Sequence, residues 1–161
     1  MISPPSRCVI LLIGSNINPI NNIKRAIKEI SGIIPITKQS SLWETNPIGT
    51  VGENFYNLAL SISTSLDFNV LKFDILRNIE INLGRVRSSD KYAPRTIDID
   101  IILDGDTIVD ANIWHYAYIA VPVSELDPGL IRAETHQILK DVAAILIKNS
   151  WIKKHPATIL K

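Results

Sequence analysis

Between Thr96 and Leu103, isoleucine and aspartate alternate along most of the segment. Successive side chains of a β-strand point to opposite faces, so Asp98 and Asp100 share one face of such a strand while the isoleucines share the other. A helix would mix the two residue types on the same side. The pattern therefore predicts a strand with one buried face and one face that carries two carboxylates.

The rest of the chain predicts further strands and helices in a regular order. Continuous or alternating apolar residues indicate strands, and apolar residues at a spacing of three or four indicate helices. Gly32, Pro35 and Gly84 mark the expected ends of the two helices. The predicted segments are a strand at 8–13, a helix at 19–31, a strand at 36–45, a loop at 46–54, a strand at 55–64, a helix from the N-cap Asp67 to Leu83, a strand at 96–103, a short hairpin arm at 107–109, an apolar segment at 113–123 and a helix at 135–148.

This order predicts an α+β fold of the ferredoxin-like βαββαβ type. We expect a mostly antiparallel sheet with the helices packed on one face and a C-terminal helical extension. With 161 residues and no linker-like segment, residues 1–161 are expected to form a single domain.

Composition excludes several classes of protein. The formal net charge of +1 gives no overall field for a polyanion, so nucleic acid is not an expected partner. No segment approaches the roughly 20 apolar residues that a membrane span needs, which favours a cytoplasmic protein. The single cysteine, Cys8, excludes an intramolecular disulfide, and its apolar surroundings predict a buried, inert thiol.

Four cations lie just ahead of the two aspartates. Arg85, Arg87, Lys91 and Arg95 fall within 11 positions, between the expected end of a helix and the aspartate-bearing strand. Guanidinium groups bind phosphate oxygens through planar, bidentate contacts. Paired carboxylates suit Mg²⁺, which takes one or two of them together with substrate phosphates. The combination predicts a polyphosphate site that contains divalent metal.

The loop between the second and third strands is a weaker candidate for a binding site. It combines an aromatic ring, a branched aliphatic side chain and amides around a turn with proline and glycine. A planar heterocycle could stack on the ring while amide groups read its edge. The candidate residues are Thr45, Asn46, Ile48, Phe55 and Asn57.

Taken together, these segments resemble the 6-hydroxymethyl-7,8-dihydropterin pyrophosphokinases of folate biosynthesis. The most specific segment is Lys91–Ile102, which is similar to the family signature over its whole length. Further segments match family motifs in the right order, over about residues 8–131. They are Leu12–Asn16, Glu44–Gly49, Phe55–Asn57, Ile79–Glu80 and Leu83–Arg87.

The resemblance implies an enzyme that transfers pyrophosphate from ATP to the hydroxymethyl group of the pterin and releases AMP. It implies two Mg²⁺ ions held by Asp98 and Asp100, with Arg85 and Arg95 also catalytic, and small-molecule substrates bound by a protein expected to be a monomer. Thr45, Asn46, Ile48, Phe55, Asn57 and Tyr118 would bind the pterin. Glu80, Arg85, Arg87, Tyr92, Arg95, Ile101, His115 and Tyr116 would bind ATP.

The segment at 114–121 departs from the family pattern, because it is a shorter loop than usual. Aligned from Pro122, Tyr118 takes the position of a pterin-stacking aromatic residue, but Tyr116 stands where an arginine is expected. Aligned on His115 and Tyr116 instead, several residues beyond them are missing. Tyr118 can equally be a core aromatic residue.

Two other functions are compatible with the same residues. The first is a non-catalytic protein that binds pterin or nucleotide and has lost the loop arginine. The second is a different two-metal nucleotidyl-transfer enzyme on a ferredoxin-like fold, which would need a third carboxylate, with Glu80 as the candidate.

Overall fold

The first strand of the chain lies at the centre of the sheet. In a computed structural model, which describes residues 2–156, β1 (Arg7–Ser15) pairs with β4 on one side and with β5 on the other. Its residues 9–13 are almost completely buried, as expected of an apolar strand covered on both faces. The other strands are β2 (Ile36–Gln39), β3 (Trp43–Thr45), β4 (Phe55–Thr64), β5 (Asp98–Asp104), β6 (Thr107–Ile108) and β7 (Ile152–Lys154).

The sheet has the strand order predicted for a ferredoxin-like fold. The order is β6-β5-β1-β4-β3-β7, with β2 pairing with β4 beyond the end of β3, and every pairing is antiparallel. The central strands therefore run β5-β1-β4 followed by β2 and β3, which is the arrangement that a βαββαβ chain produces. The predicted fold class is confirmed.

Helices cover both faces of the sheet, which corrects the expectation that they pack on one face. The helices are α1 (Pro19–Ser31), α2 (Arg77–Asn82), α3 (Ala117–Leu126) and α4 (Leu139–Asn149). The helices α1 and α2 pack with Leu11, Leu60 and Ile99 in one core. The helices α3 and α4 pack with Leu12 and Ile102 in a second core on the opposite face.

Helix α3 occupies most of the segment that had been expected to be a loop at 114–121. It contains Pro122 in its interior, which removes one backbone donor. Ile119, Ala120 and Val123 are buried against the sheet, and this apolar burial outweighs the missing hydrogen bond. A one-turn 3₁₀ helix, Ala111–Trp114, precedes it.

Other boundaries also differ from the predictions. The strand expected at 36–45 is divided into β2 and β3, and the helix expected from Asp67 begins as a π-helical stretch, Val70–Leu76, before α2. The helix expected at 135–148 starts only at Leu139. The prediction of a buried thiol is wrong, because Cys8 is exposed and contacts the hydroxyl of Ser61.

No helix within residues 2–156 combines the length and the apolar character that crossing a membrane requires.

Replacing His136 by glycine is expected to stabilise the protein. His136 has φ 58°, in the left-handed region that disfavours side chains with a Cβ, and it lies in the loop before α4. We expect the free energy of unfolding, measured by urea denaturation, to rise by about 1 kcal/mol. The neighbouring Glu134→Gly variant is the control and should not be stabilised; equal gains in both variants would contradict the prediction.

Candidate active site

The two aspartates of β5 face α3 and the loops above it, whereas Ile97 and Ile99 face the α1–α2 core. Ile97 and Ile99 are buried in that core, so the predicted division of the strand into two faces is confirmed. Asp98 lies beside Gly14 of β1, and Gly14 lies beside Asn57 of β4. Three neighbouring strands thus place a carboxylate, a glycine and an amide in one row across the sheet.

Gly14 allows the side chain of Asn57 to lie close to the backbone of β1. A Cβ atom at position 14 would be 3.0 Å from Asn57 Oδ1. Asn57 is buried, and its Nδ2 donates a hydrogen bond of 3.0 Å to Thr45 Oγ1 on β3. The central strands therefore present a polar edge of fixed geometry next to Asp98.

A first cavity of about 410 Å³ opens over this row. Its walls come from the ends of β1, β3, β4 and β5, the loop at 46–54, the loop at 91–95 and the start of α3. The residues that line it are Leu12, Gly14, Thr45, Asn46, Pro47, Ile48, Thr50, Phe55, Asn57, Lys91, Tyr92, Ala93, Arg95, Asp98, Asp100, Asn112, Tyr116 and Tyr118.

A second cavity of about 390 Å³ adjoins the first. It lies between the π-helical stretch, α2 and the segment at 85–95 that carries the four predicted cations, called the cationic segment below. Arg95, Asp98 and Asp100 line both cavities, so the two carboxylates stand on the wall that the cavities share. The other residues that line it are Lys72, Phe73, Arg77, Glu80, Arg85, Arg87 and Ile99.

Charged side chains form a continuous network along the second cavity. Arg85 Nη1 donates to Glu80 Oε1 at 2.7 Å and also to Asp98 Oδ1. Arg87 Nη2 donates to Glu80 Oε2 at 2.9 Å, and Arg95 Nη1 donates to Asp98 Oδ2. Two carboxylates, Glu80 and Asp98, thus hold three arginines.

Glu80 is the buried centre of this network. Burial raises its pKa, with a smaller contribution from the neighbouring Asp98, while Arg85 and Arg87 act in the opposite direction. Its Oε1 also accepts a hydrogen bond of 2.8 Å from the backbone N–H of Ile99, which further favours the ionised form. The carboxylate therefore joins α2 to β5 and holds two of the arginines.

Asp100 has a different environment from Asp98. Within residues 2–156, no hydrogen bond or ion pair engages its carboxylate. The side chain is accessible to solvent, but it lies in a concave site where protein atoms displace much of the surrounding water. This desolvation, together with the charges of Asp98 and Glu80, raises the pKa of Asp100 to about 7.

The carboxylates of Asp98 and Asp100 are suitable ligands for a hard divalent cation whose remaining ligands are oxygens from other molecules. Among the described residues, no group of three or more histidine, cysteine or acidic side chains could enclose a metal by itself. Asp98 and Asp100 supply carboxylate oxygens on one face of one strand. Mg²⁺ is typically bound by one or two carboxylates, with water and phosphate oxygens as its remaining ligands.

Most of the predicted site residues line one of the two cavities. All six residues predicted to bind a pterin, from Thr45 to Tyr118, line the first cavity. Of those predicted to bind ATP, Tyr92 and Tyr116 line the first cavity and not the second, and Ile101 and His115 line neither. The remaining predicted ATP-binding residues, Glu80, Arg85, Arg87 and Arg95, line the second cavity.

The structure adds residues that the sequence patterns did not single out. Lys72, Phe73 and Arg77 project from the helical segment before Glu80 into the second cavity. Lys72 Nζ lies 5.5 Å and Arg77 Cζ 5.6 Å from the centre of the Phe73 ring. Phe73, Arg77 and Glu80 follow one another at intervals of four and three residues, which places them on one face of a helix. This spacing was the sequence signal that could have identified Phe73 and Arg77 as neighbours of Glu80.

Two loops meet over the first cavity. Gly49, in the loop between β3 and β4, has φ +74°, and the ring of Tyr92 from the cationic segment packs directly on it. A Cβ atom at position 49 would lie 2.7 Å from Tyr92 Cε1 and 3.0 Å from its hydroxyl oxygen. Lys91 Nζ lies 4.8 Å from the centre of the same ring. The absence of a side chain at Gly49 lets the loops contact each other.

Comparison with known proteins identifies similar chains. Residues 10–128 match the family model described as 7,8-dihydro-6-hydroxymethylpterin-pyrophosphokinase (HPPK). The 2-amino-4-hydroxy-6-hydroxymethyldihydropteridine pyrophosphokinase of Haemophilus influenzae is 30% identical over 159 residues, which cover 91% of this chain and 97% of that protein. The folate synthesis bifunctional protein of Arabidopsis thaliana is 30% identical over 129 residues, 73% of this chain and 26% of that protein.

Solved structures share the same fold. The crystal structure of Plasmodium falciparum HPPK-DHPS, wild type, with pterin and p-hydroxybenzoate matches with a TM-score of 0.74 and 12% identity, over 92% of this chain and 44% of that chain. The chain thus spans nearly the whole Haemophilus protein but about a quarter of the plant protein and less than half of the Plasmodium chain.

Replacing Gly49 by alanine tests the contact between the loops. We expect destabilisation from two sources, the positive φ and the collision with Tyr92, and together they should exceed the roughly 1 kcal/mol due to φ alone. Urea denaturation should show a smaller loss when Gly49→Ala is made in a Tyr92→Ala background.

Two glycines provide matched controls for this experiment. Gly105 has φ +60° with its nearest neighbouring atom at 4.0 Å, and Gly52 has open space around it and no positive φ. Gly105→Ala should show the loss due to φ alone, and Gly52→Ala should show almost none. Equal losses for Gly49→Ala with and without Tyr92 would mean that the ring does not constrain position 49.

Proposed function

The chain belongs to the 7,8-dihydro-6-hydroxymethylpterin-pyrophosphokinase family, and on this basis we propose that it transfers pyrophosphate from ATP to the hydroxymethyl group of 6-hydroxymethyl-7,8-dihydropterin in folate biosynthesis. One structural observation carries the proposal. Asp98 and Asp100 line both of two adjoining cavities, one with an apolar and amide wall and one with several cations. A transfer between two substrates needs its charged groups at such a boundary.

In this reaction the hydroxymethyl oxygen forms a bond to the β-phosphorus of ATP. The bond between that phosphorus and the oxygen bridging to the α-phosphate breaks, AMP leaves with that oxygen, and the hydroxyl proton is released. Arg85 and Arg95 bind phosphate oxygens in the proposed complex and stabilise the charge on the transferring group. Asp98 and Asp100 would hold two Mg²⁺ ions, which would supply neutralisation of the phosphate charge.

The first cavity is the proposed pterin pocket. Asn57 is held by its hydrogen bond to Thr45, which leaves its carbonyl oxygen available to accept from a ring N–H. Phe55 and Tyr118 both line this cavity and supply aromatic surfaces on which a flat heterocycle would stack in the proposed complex. Tyr118 lies 5.7 Å from Tyr116, measured between ring centres, so the two tyrosines form one side of the pocket.

The second cavity is the proposed nucleotide pocket. Arg85, Arg87 and Arg95 give it the charge that a triphosphate requires. Phe73 also lines this cavity and is exposed, with Lys72 and Arg77 beside its ring. We assign the base of the nucleotide to this aromatic surface and the phosphates to the arginines.

The geometry makes one alternative function less favourable. A nucleotidyl-transfer enzyme that uses three carboxylates would need Glu80 as a metal ligand beside the two aspartates. Both oxygens of Glu80 are already engaged, by Arg85, Arg87 and the backbone N–H of Ile99. A buried carboxylate held in this way is better suited to positioning arginines than to binding metal.

A non-catalytic binding protein is the second candidate, and the segment before α3 is the observation that favours it. Tyr116, which stands where the family pattern has an arginine, lines the first cavity and brings no positive charge to it. The monomeric state and the cytoplasmic location expected from the sequence stay predictions.

An assay for AMP distinguishes the two candidates. With Mg²⁺ and ATP, we expect AMP to form only when 6-hydroxymethyl-7,8-dihydropterin is also present, because the hydroxymethyl oxygen is the acceptor. The control omits the pterin. If calorimetry shows that the folded protein binds pterin and nucleotide but no AMP forms, the binding protein is the correct description.

Asp100→Asn separates the role of this carboxylate in function from any role in stability. The substitution removes a charge that its surroundings disfavour, so the melting temperature should stay the same or rise. Turnover should fall roughly a hundredfold or more, as it does when a preorganised charged group is lost. Asp106→Asn, in the exposed turn between β5 and β6, is the matched control and should retain turnover. Near-normal activity of Asp100→Asn would remove Asp100 from the metal site.

A further inference from the structure

Both carboxylate oxygens of Asp98 are engaged by arginine side chains. Oδ1 accepts from Arg85 Nη1, Oδ2 accepts from Arg95 Nη1, and only 15% of the side chain is exposed. Asp100, two positions further along β5, has no such partner among the described residues. The two carboxylates of the proposed metal site are therefore not equally accessible to a cation.

Each of these arginines has a second anchor away from Asp98. Arg85 is held by Glu80 Oε1 at 2.7 Å, and its side chain is 10% exposed. Arg95 Nη2 donates to the backbone carbonyl of Lys91 at 2.9 Å. Either guanidinium can therefore leave Asp98 without losing its place beside the second cavity.

A divalent cation that approaches Asp98 is repelled by the guanidinium groups of Arg85 and Arg95, which already occupy both carboxylate oxygens. Direct coordination would require it to displace a charge-assisted hydrogen bond and to lie next to the guanidinium groups. A polyphosphate removes this conflict, because its oxygens offer both arginines an alternative acceptor of high charge.

We propose that Arg85 and Arg95 occupy the oxygens of Asp98 in place of metal when no nucleotide is bound, so that Asp98 takes up a divalent cation only together with the polyphosphate that draws the arginines away. The inference rests on the proposed function for the assignment of a metal site to Asp98 and Asp100. Glu80 is then a positioning residue, since it keeps Arg85 at the cavity after Arg85 has left Asp98.

Binding of Mn²⁺ without nucleotide tests this role. Free Mn²⁺ is measured by electron paramagnetic resonance while the metal is titrated into the folded protein. The Arg95→Ala variant frees Oδ2 of Asp98 and is preferred to a change at Arg85, whose loss would leave the buried Glu80 short of a partner. We expect Arg95→Ala to bind Mn²⁺ about tenfold more tightly than the unmodified protein.

Arg87→Ala is the matched electrostatic control. It removes one positive charge from the same network, but Arg87 contacts Glu80 and not Asp98. Any gain in Mn²⁺ affinity in this variant measures the general effect of lost charge. The proposal requires a gain for Arg95→Ala that clearly exceeds the gain for Arg87→Ala, and equal gains would overturn it.

The same two substitutions in an Asp98→Asn protein show whether the increase in Mn²⁺ affinity depends on the carboxylate of Asp98. In an Asp98→Asn protein, Arg95→Ala should no longer increase Mn²⁺ affinity beyond the Arg87→Ala control, and a gain that persists there would also overturn the proposal. These measurements involve no turnover. A protein that forms AMP but shows no specific gain for Arg95→Ala would retain the proposed function and lose only this role of the arginines.

Discussion

The geometry of the site depends on one buried charge, the carboxylate of Glu80. An ionised group away from water is tolerated only when hydrogen bonds and opposite charges replace its hydration. Glu80 obtains these from Arg85, Arg87 and the N–H of Ile99, and so α2, the cationic segment and β5 are joined at one point. The fold itself thereby fixes the positions of Arg85 and Arg87, and such preorganised charge is the form that stabilises developing charge most effectively.

The sheet supplies the other half of the site through its side-chain period of two. Because side chains alternate between the two faces of β5, the strand buries Ile99 and Ile101 in one core and presents Asp98 and Asp100 to the cavities on the other face. The antiparallel register then aligns Asn57, Gly14 and Asp98 in one row. A shift of one residue in the pairing would separate the amide from the carboxylates, so packing of the core and geometry of the site are specified together.

Local patterns predicted the elements that carry this geometry, but not the contacts between distant segments. Alternation in β5, the apolar run of β1 and the helical spacing of α1 each lie within one element, and all three were predicted correctly. Helix α3 was not predicted, because a short apolar segment that contains Pro122 is compatible with a loop, a strand or a helix. Its packing in the second core, which the sequence does not show, decides for the helix. The pairing of β7 with β3, and of Glu80 with two arginines, joins residues whose partners no local pattern indicates.

The balance of charge explains why the site can be stable and still receive a polyphosphate. Three arginines, Arg85, Arg87 and Arg95, stand among three carboxylates, so the network is close to neutral by itself. Among the described residues, Asp100 has no hydrogen bond or ion pair, and desolvation together with the charges of Asp98 and Glu80 raises its pKa to about 7. In the proposed complex, a nucleotide bound together with divalent metal would offer anionic oxygens to the arginines and cations to the aspartates at the same time. Arginine and carboxylate would then exchange partners, and no charged group of the site would be left uncompensated.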